Sequence, residues 1–333
     1  MDLAVEFLSD LAAIIIGPSS RLFPFYLMVT ICICVFLYWR RSISTSFLTW
    51  IFPKSIYLHP SHLLDLKVFM LSSVVATLGV FNIVVFSAFI ASTMATSIDL
   101  GTDIAPLHPS IIAVLLLVVS DFSTYWVHRL HHEIRIVWPF HSLHHSAEVM
   151  TPITVYRKHP AYDLISRFFK GILIGTLQGV LLVAFNQNPS IAAIAGVNLF
   201  YIAFHVMGSN LRHSHIWLSF GPIIEHLLIS PAQHQIHHSL SPQHHKKNYG
   251  EVLAIWDWMF GTLYVPSERE FIEYGLADQK GKRIKQPHDS LTAALLMPIA
   301  DSYHEIIKTF SKGNHENPNP SEVKQPTMKS RHG

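Results

Sequence analysis

The stretch DFSTYWVHRLHHEIRIVWPFHSLHHS, Asp121 to Ser146, leaves an apolar segment and delivers His128, His131, His132, His141, His144 and His145. If the preceding segment continues as helix, Asp121, Tyr125, His128 and His132 fall at steps of four, three and four and stack on one face. His131 is rotated off that stripe, so His132 is the expected ligand of the pair. His141, His144 and His145 repeat the device, and His234, His237 and His238 form a third copy about ninety residues on. Neutral imidazole ligates zinc, copper, iron and nickel, and one ion takes about four to six ligands. Eight histidines at these spacings therefore predict a binuclear, nitrogen-rich site. One such cluster could be chance in a chain with 23 histidines, but three beside membrane-length apolar segments are not. The spacing does not name the metal.

The 333 residues are 50% hydrophobic and 14% charged, far below the roughly 25% charged of soluble domains, which indicates a membrane protein. A net charge of +2 gives no field for nucleic acid. Cys32 and Cys34 lie on different faces of one apolar span and are expected to pack rather than pair. Asp2, Glu6 and Asp10 precede the first basic residue, Arg21, which predicts no cleavable signal peptide. The same stretch predicts a short amphipathic helix with Leu3, Phe7, Leu8, Leu11 and Ile15 on one side.

Apolar runs predict spans at Leu22 to Trp39, Val68 to Ala91, Ile111 to Val127, Phe168 to Phe185 and Pro189 to Met207. The loop from Ser92 to Ser110 has no Lys or Arg, whereas Arg40, Arg41, Lys67, Arg129, Arg135 and Arg157 fall on the other side. The positive-inside rule then puts every histidine cluster on the cytoplasmic face. The expected fold is all-α: a multi-pass transmembrane helical bundle with a histidine-rich, di-metal helical cap on its cytoplasmic face. Its expected divisions are 1–110 (amphipathic helix and first spans), 111–266 (catalytic domain) and 267–333 (surface helix interrupted by Pro298, then a disordered tail). Gly171, Gly175 and Gly179 predict close helix packing. Asp121, an acid inside a span, is expected to serve catalysis by orienting a histidine. Trp256, Trp258, Met259 and Phe260 read as an apolar knot.

HRLHHE, HSLHHS, T-x2-V-x-R-x-HP at Thr151 to Pro160, NLRHSH, SPAQHQIHHS and NYG-x5-WDWMFGT together resemble the sterol desaturase/fatty acid hydroxylase superfamily of integral-membrane di-iron oxygenases. The resemblance runs from about Asp121 to Pro266. It implies two iron ions held by His128, His132, His141, His144, His145, His213, His234, His237 and His238. His159, His205, His215 and His244 are candidates for a tenth ligand or a supporting contact, and Glu133 joins Asp121 as a candidate catalytic acid. One departure is Lys246, which stands where many relatives have an acid before the Asn-Tyr-Gly.

The implied activity is hydroxylation or desaturation of a lipid, a sterol or a fatty acyl or alkyl chain, with dioxygen. No Gly-rich dinucleotide fingerprint follows a strand, so electrons are expected from a separate protein, by resemblance a cytochrome b5-like or ferredoxin-like donor. The pair His132-Glu133 is similar to a motif of the superfamily's pterin-using alkylglycerol monooxygenases, but it is too short to assign a pterin. The implied location is the endoplasmic reticulum of a eukaryote or the inner membrane of a bacterium, with the site facing the cytoplasm. A zinc protease is excluded, because Ile136 stands where H-E-x-x-H needs its second histidine. A non-catalytic or transport-type metal-binding membrane protein is the alternative. Clusters at one edge, rather than at the bilayer midplane, favour the enzyme.

Overall fold

The computed structural model describes residues 3–79, 84–98, 100, 107–185, 202–278 and 280–315. Among these the regular structure is helical, and β pairing is confined to isolated bridges such as Leu228 with Leu253. The chain runs through α1 (Leu3–Ile16), α2 (Pro24–Arg40), two short helices α3 (Phe47–Ile51) and α4 (Lys54–Tyr57), then α5 (Pro60–Thr77) and α6 (Val84–Ser97). It continues through α7 (Pro109–Glu133), α8 (Trp138–His145), α9 (Pro160–Ala184), α10 (Pro231–His237), α11 (Ile255–Met259) and α12 (Leu291–His315).

Three of these helices start the same way. His59-Pro60 opens α5, His108-Pro109 opens α7 and His159-Pro160 opens α9, and in each the histidine Nδ1 accepts the backbone N–H two residues on. Proline presets the helical φ where no N–H is needed, and the ring nitrogen satisfies one free donor of the first turn. α7 and α9, each 25 residues, are long and apolar enough to cross a membrane, and α2 is a shorter apolar helix.

The expected single span from Val68 to Ala91 is instead divided between α5 and α6. α5 ends at Thr77, and Gly79 adopts φ 73°, the left-handed conformation with which glycine closes a helix. The expected span from Pro189 to Met207 lies outside the described residues as far as position 201, as does the tail beyond 315. α6 packs along α9 through the glycine ridge. A Cβ at Gly175 would meet the Ser87 carbonyl oxygen at 2.8 Å, so this contact requires glycine. Cys34 is buried with Leu37, Ile51 and Leu211, while Cys32 is exposed, and neither forms a disulfide.

Two features hold the short helices against the long ones. Arg157, fully buried, pairs with Asp65 of α5 at 2.9 Å and donates to the Leu143 carbonyl, Ser61 Oγ and Ser146 Oγ, while Thr154 donates to the same Asp65. This fixes the C-terminal end of α8 to the start of α5. On the other side, Leu291 and Ala294 of α12 pack with Leu64, Val68 and Leu143, and Ser302 Oγ donates to the Ile136 carbonyl. α12 runs through Pro298 without the expected interruption.

Candidate metal centre

The histidines meet at the C-terminal end of α7 and the N-terminal end of α9. α7 supplies His128 and His132; α8 supplies His141, His144 and His145; α10 and its cap supply His234, His237 and His238; the turn Ser209–His213 supplies His213. α10 begins on Ser230, which accepts from Gln233 N while Gln233 Oε1 accepts from Ser230 N, with Pro231 in the first turn. Its register then sets His234, His237 and His238 on one side, as the spacing predicts.

The nine rings form two groups. His128, His132, His141, His145 and His237 make one, and His144, His213, His234 and His238 the other, with the ligand atoms of each group within 4.8 Å of one another. The groups abut, since the ring of His145 stacks on that of His238 at 4.3 Å. In the first group the Nε2 of His141 lies 3.2, 3.0 and 3.2 Å from the Nε2 atoms of His128, His132 and His145. In the second, His144 to His213, His213 to His234 and His234 to His238 are 3.2, 3.1 and 3.2 Å apart through the same atom.

These contacts cannot all be hydrogen bonds. The Nδ1 proton of His128 is donated to the Tyr249 carbonyl at 2.7 Å and that of His237 to the Lys247 carbonyl at 2.8 Å. A neutral imidazole has one N–H, so the inner nitrogen of each presents a lone pair. Metal–nitrogen bonds of about 2.1 Å at right angles place adjacent ligand atoms about 3.0 Å apart, which matches the spacing seen. The donor set and its geometry therefore fit one cation in each group. His234 differs from its neighbours. Its outer Nδ1 accepts from Arg212 at 3.0 Å, so its neutral ring carries a proton on Nε2 that a bound cation must displace.

Electrostatics agree with neutral ligands. Burial, followed by repulsion from nearby positive groups, holds His141, His144, His145, His213, His234 and His238 well below the usual histidine range, and burial lowers His237 to about 4. The Arg212 guanidinium is itself pushed down to about 9 by burial.

The carbonyls that orient His128 and His237 come from one clamped loop. Lys246 and Asn248 have φ of 61° and 57°, turning the chain so that the Lys247 and Tyr249 carbonyls point at the rings. Asp257, buried at the base of α11, accepts from Tyr249 N, Gly250 N and Thr262 Oγ1 at 2.8, 2.7 and 2.6 Å. A Cβ on Gly250 would meet the Leu253 carbonyl oxygen at 2.7 Å. Asn248 Nδ2 donates to the Gln233 and Tyr264 carbonyls. These contacts explain the Asn-Tyr-Gly and the Trp-Asp-Trp. Sequence reasoning took the latter for an apolar knot and missed Asp257, although an acid among tryptophans was its visible signal. The knot itself is divided: Trp256 and Phe260 pack on Phe122, while Trp258 and Met259 are exposed.

The remaining expected residues fall elsewhere. Asp121 does not orient a histidine; its carboxylate accepts from Val252 N, Leu253 N and Trp256 Nε1, tying that loop to α7. Glu133, about a third exposed, accepts from Arg129 at 2.9 Å and belongs to neither group. His131 donates Nδ1–H to the Val127 carbonyl and lies outside both groups. None of the four extra candidates joins a group. His159 caps α9, His205 bonds Ser209 Oγ, His215 bonds the Trp50 carbonyl and His244 pairs with Glu270. A cavity of about 1070 Å³ reaches His132, His145 and His237 of the first group and His238 of the second, with Trp138 on its wall and Asp301 and Lys308 of α12 among its lining.

Residues 113–262 match the family model described as fatty acid hydroxylase. Over 156 residues the chain is 34% identical to an alkylglycerol monooxygenase of Xenopus tropicalis and 32% to that of Homo sapiens, each alignment covering 47% of this chain and 31% of the relative. It is 30% identical over 169 residues to an ornithine lipid hydroxylase of Rhizobium tropici, covering 51% of this chain and 46% of the relative. The chain thus spans less than half the length of these curated relatives. No solved structure matches it. All nine clustered histidines lie inside the residues that match the fatty acid hydroxylase family.

Proposed function

We propose that this chain is a membrane-bound di-iron oxygenase that hydroxylates or desaturates a lipid, with His128, His132, His141, His145 and His237 holding one iron and His144, His213, His234 and His238 the other. The observation that carries it is the pair of all-imidazole groups, spaced as ligands are on a metal and opening on one cavity. Irons bound there would activate dioxygen for attack on an unactivated C–H bond. The chain's own contribution is to hold nine buried rings at ligand spacing and to admit a chain or ring carbon to the histidine edge. The Tyr249 and Lys247 carbonyls fix two of those rings, and Trp138, 5.1 Å from His132 and 5.6 Å from His145, gives the cavity an apolar wall. The volume is that of a site for a whole lipid segment rather than a small molecule alone.

The relatives named for alkylglycerol and ornithine lipid support a chain-bearing lipid over a sterol, and oxygen insertion over desaturation. Electrons would come from a separate cytochrome b5-like or ferredoxin-like protein. We place the chain as a multi-pass protein with α7 and α9 as spans and the metal centre at the cytoplasmic edge, in the endoplasmic reticulum of a eukaryote or the inner membrane of a bacterium. The functional divisions we propose are 1–110, 111–266 and 267–333, the last supplying α12 to the cavity lining. The test is oxygen-dependent turnover of alkyl- and acyl-chain lipids by iron-loaded protein with a reductase and donor added. Oxygenated product from a chain lipid and none from sterol is expected; bound iron with no product from either would leave a metal-holding membrane protein instead.

A further inference from the structure

Several aromatic rings line the five-histidine group, and their polar atoms differ. Tyr162 stacks on His141 at 4.8 Å with Ser166 beside its hydroxyl, and the Tyr125 hydroxyl is bonded to Thr262 and Arg129. Tyr249 lies 5.1 Å from His132, 5.7 Å from His237 and 5.9 Å from His128, is completely buried, and its hydroxyl has no hydrogen-bond partner. The residue is clamped at both ends: its N–H donates to Asp257 and its carbonyl accepts from His128. The adjacent Gly250 is held by the same Asp257.

A buried hydroxyl without a partner is destabilising, and phenylalanine would fill the same volume without that cost. The ring that carries this unpartnered donor packs against three rings of the five-histidine group. Five imidazoles would leave one position of a six-coordinate ion open for a further ligand. We propose that the Tyr249 hydroxyl donates a hydrogen bond to the small oxygen or anionic ligand that occupies the open position of the five-histidine metal. This rests on the reading of that group as an iron site. Tyr249 thereby acts on the exchangeable ligand, whereas its backbone acts on His128.

Azide, an anion that binds open positions on iron, is the probe, titrated spectroscopically into the iron-loaded full chain. Tyr249→Phe is expected to keep its iron and to weaken azide binding roughly tenfold, the loss of one hydrogen bond to a charged group. Equal iron content with azide affinity within about twofold of wild type would overturn the proposal. If Tyr249→Phe does not fold, fluorotyrosines placed at position 249 keep the hydroxyl and make it a progressively stronger donor. Azide affinity should then rise with donor acidity, and an affinity indifferent to it overturns the proposal. Wild-type protein that takes up no iron would be a separate outcome, sinking the functional reading and the proposal with it.

Discussion

Replacing Asp257 with asparagine removes one acceptor from the loop that orients the five-histidine group directly and reaches the four-histidine group only through Arg212, which donates to the Gly250 and Glu251 carbonyls and to His234. Oδ1 accepts from Tyr249 N and Thr262 Oγ1, and Oδ2 accepts from Gly250 N at 2.7 Å. An asparagine that keeps its oxygen toward Tyr249 and Thr262 turns an NH2 group toward the Gly250 N–H, two donors face to face. Losing one hydrogen bond to a buried carboxylate costs about 1.5–3 kcal/mol, and the unpaired Gly250 N–H adds to it. The loop relaxes by moving the Tyr249 and Lys247 carbonyls, and those fix His128 and His237. Weakening such supporting contacts lowers metal affinity about 10–100-fold, here first at the five-histidine site, whose rings the loop carbonyls contact directly. Iron titration of the purified variant should therefore show one tight and one weakened site, with the melting temperature lowered by a few degrees. Two sites of wild-type affinity would refute the idea that this loop positions the first group.

Among other substitutions, His132→Gln should lose the five-histidine metal while His131→Gln keeps both, because only His132 presents its ring to the group; iron per chain at matched expression decides. Arg157→Met should destabilise the fold by about 3–5 kcal/mol, since it leaves Asp65 as an unpaired buried carboxylate, and denaturant or thermal unfolding in detergent measures it. Acidification should destabilise the metal-free protein. With His237 at about 4 when folded and about 6.5 when unfolded, the unfolded chain binds more protons between those values, so stability is full above about 6.5 and falls as pH drops toward 4. Metal-free protein that unfolds no more easily at pH 5 than at pH 7 would contradict this.

The grouping of the histidines was legible in the sequence because side chains on helices obey helical periodicity. His128 and His132 at four residues apart, and His234, His237 and His238 behind a Ser-Pro start, could be placed before any coordinates. The same logic separated His132 from His131. It failed where geometry depends on distant segments. Asp121 sits on the His128 face by periodicity, but its partners are Val252, Leu253 and Trp256, more than a hundred residues away. His59 and His108 carried no reading and His159 stood as a candidate tenth ligand; their shared capping role emerges only with the proline that follows each. The division between α5 and α6 was hidden because hydropathy averages over Gly79, whose positive φ ends the helix. The role of the Asn-Tyr-Gly loop rests on carbonyl directions, which composition does not carry.

The most direct test of two imidazole-held irons is the iron content per chain of freshly purified, turnover-competent protein, with zinc quantified in the same sample. About two irons per chain are predicted, one for each histidine group. One iron or none in a preparation that still oxygenates lipid would contradict the account.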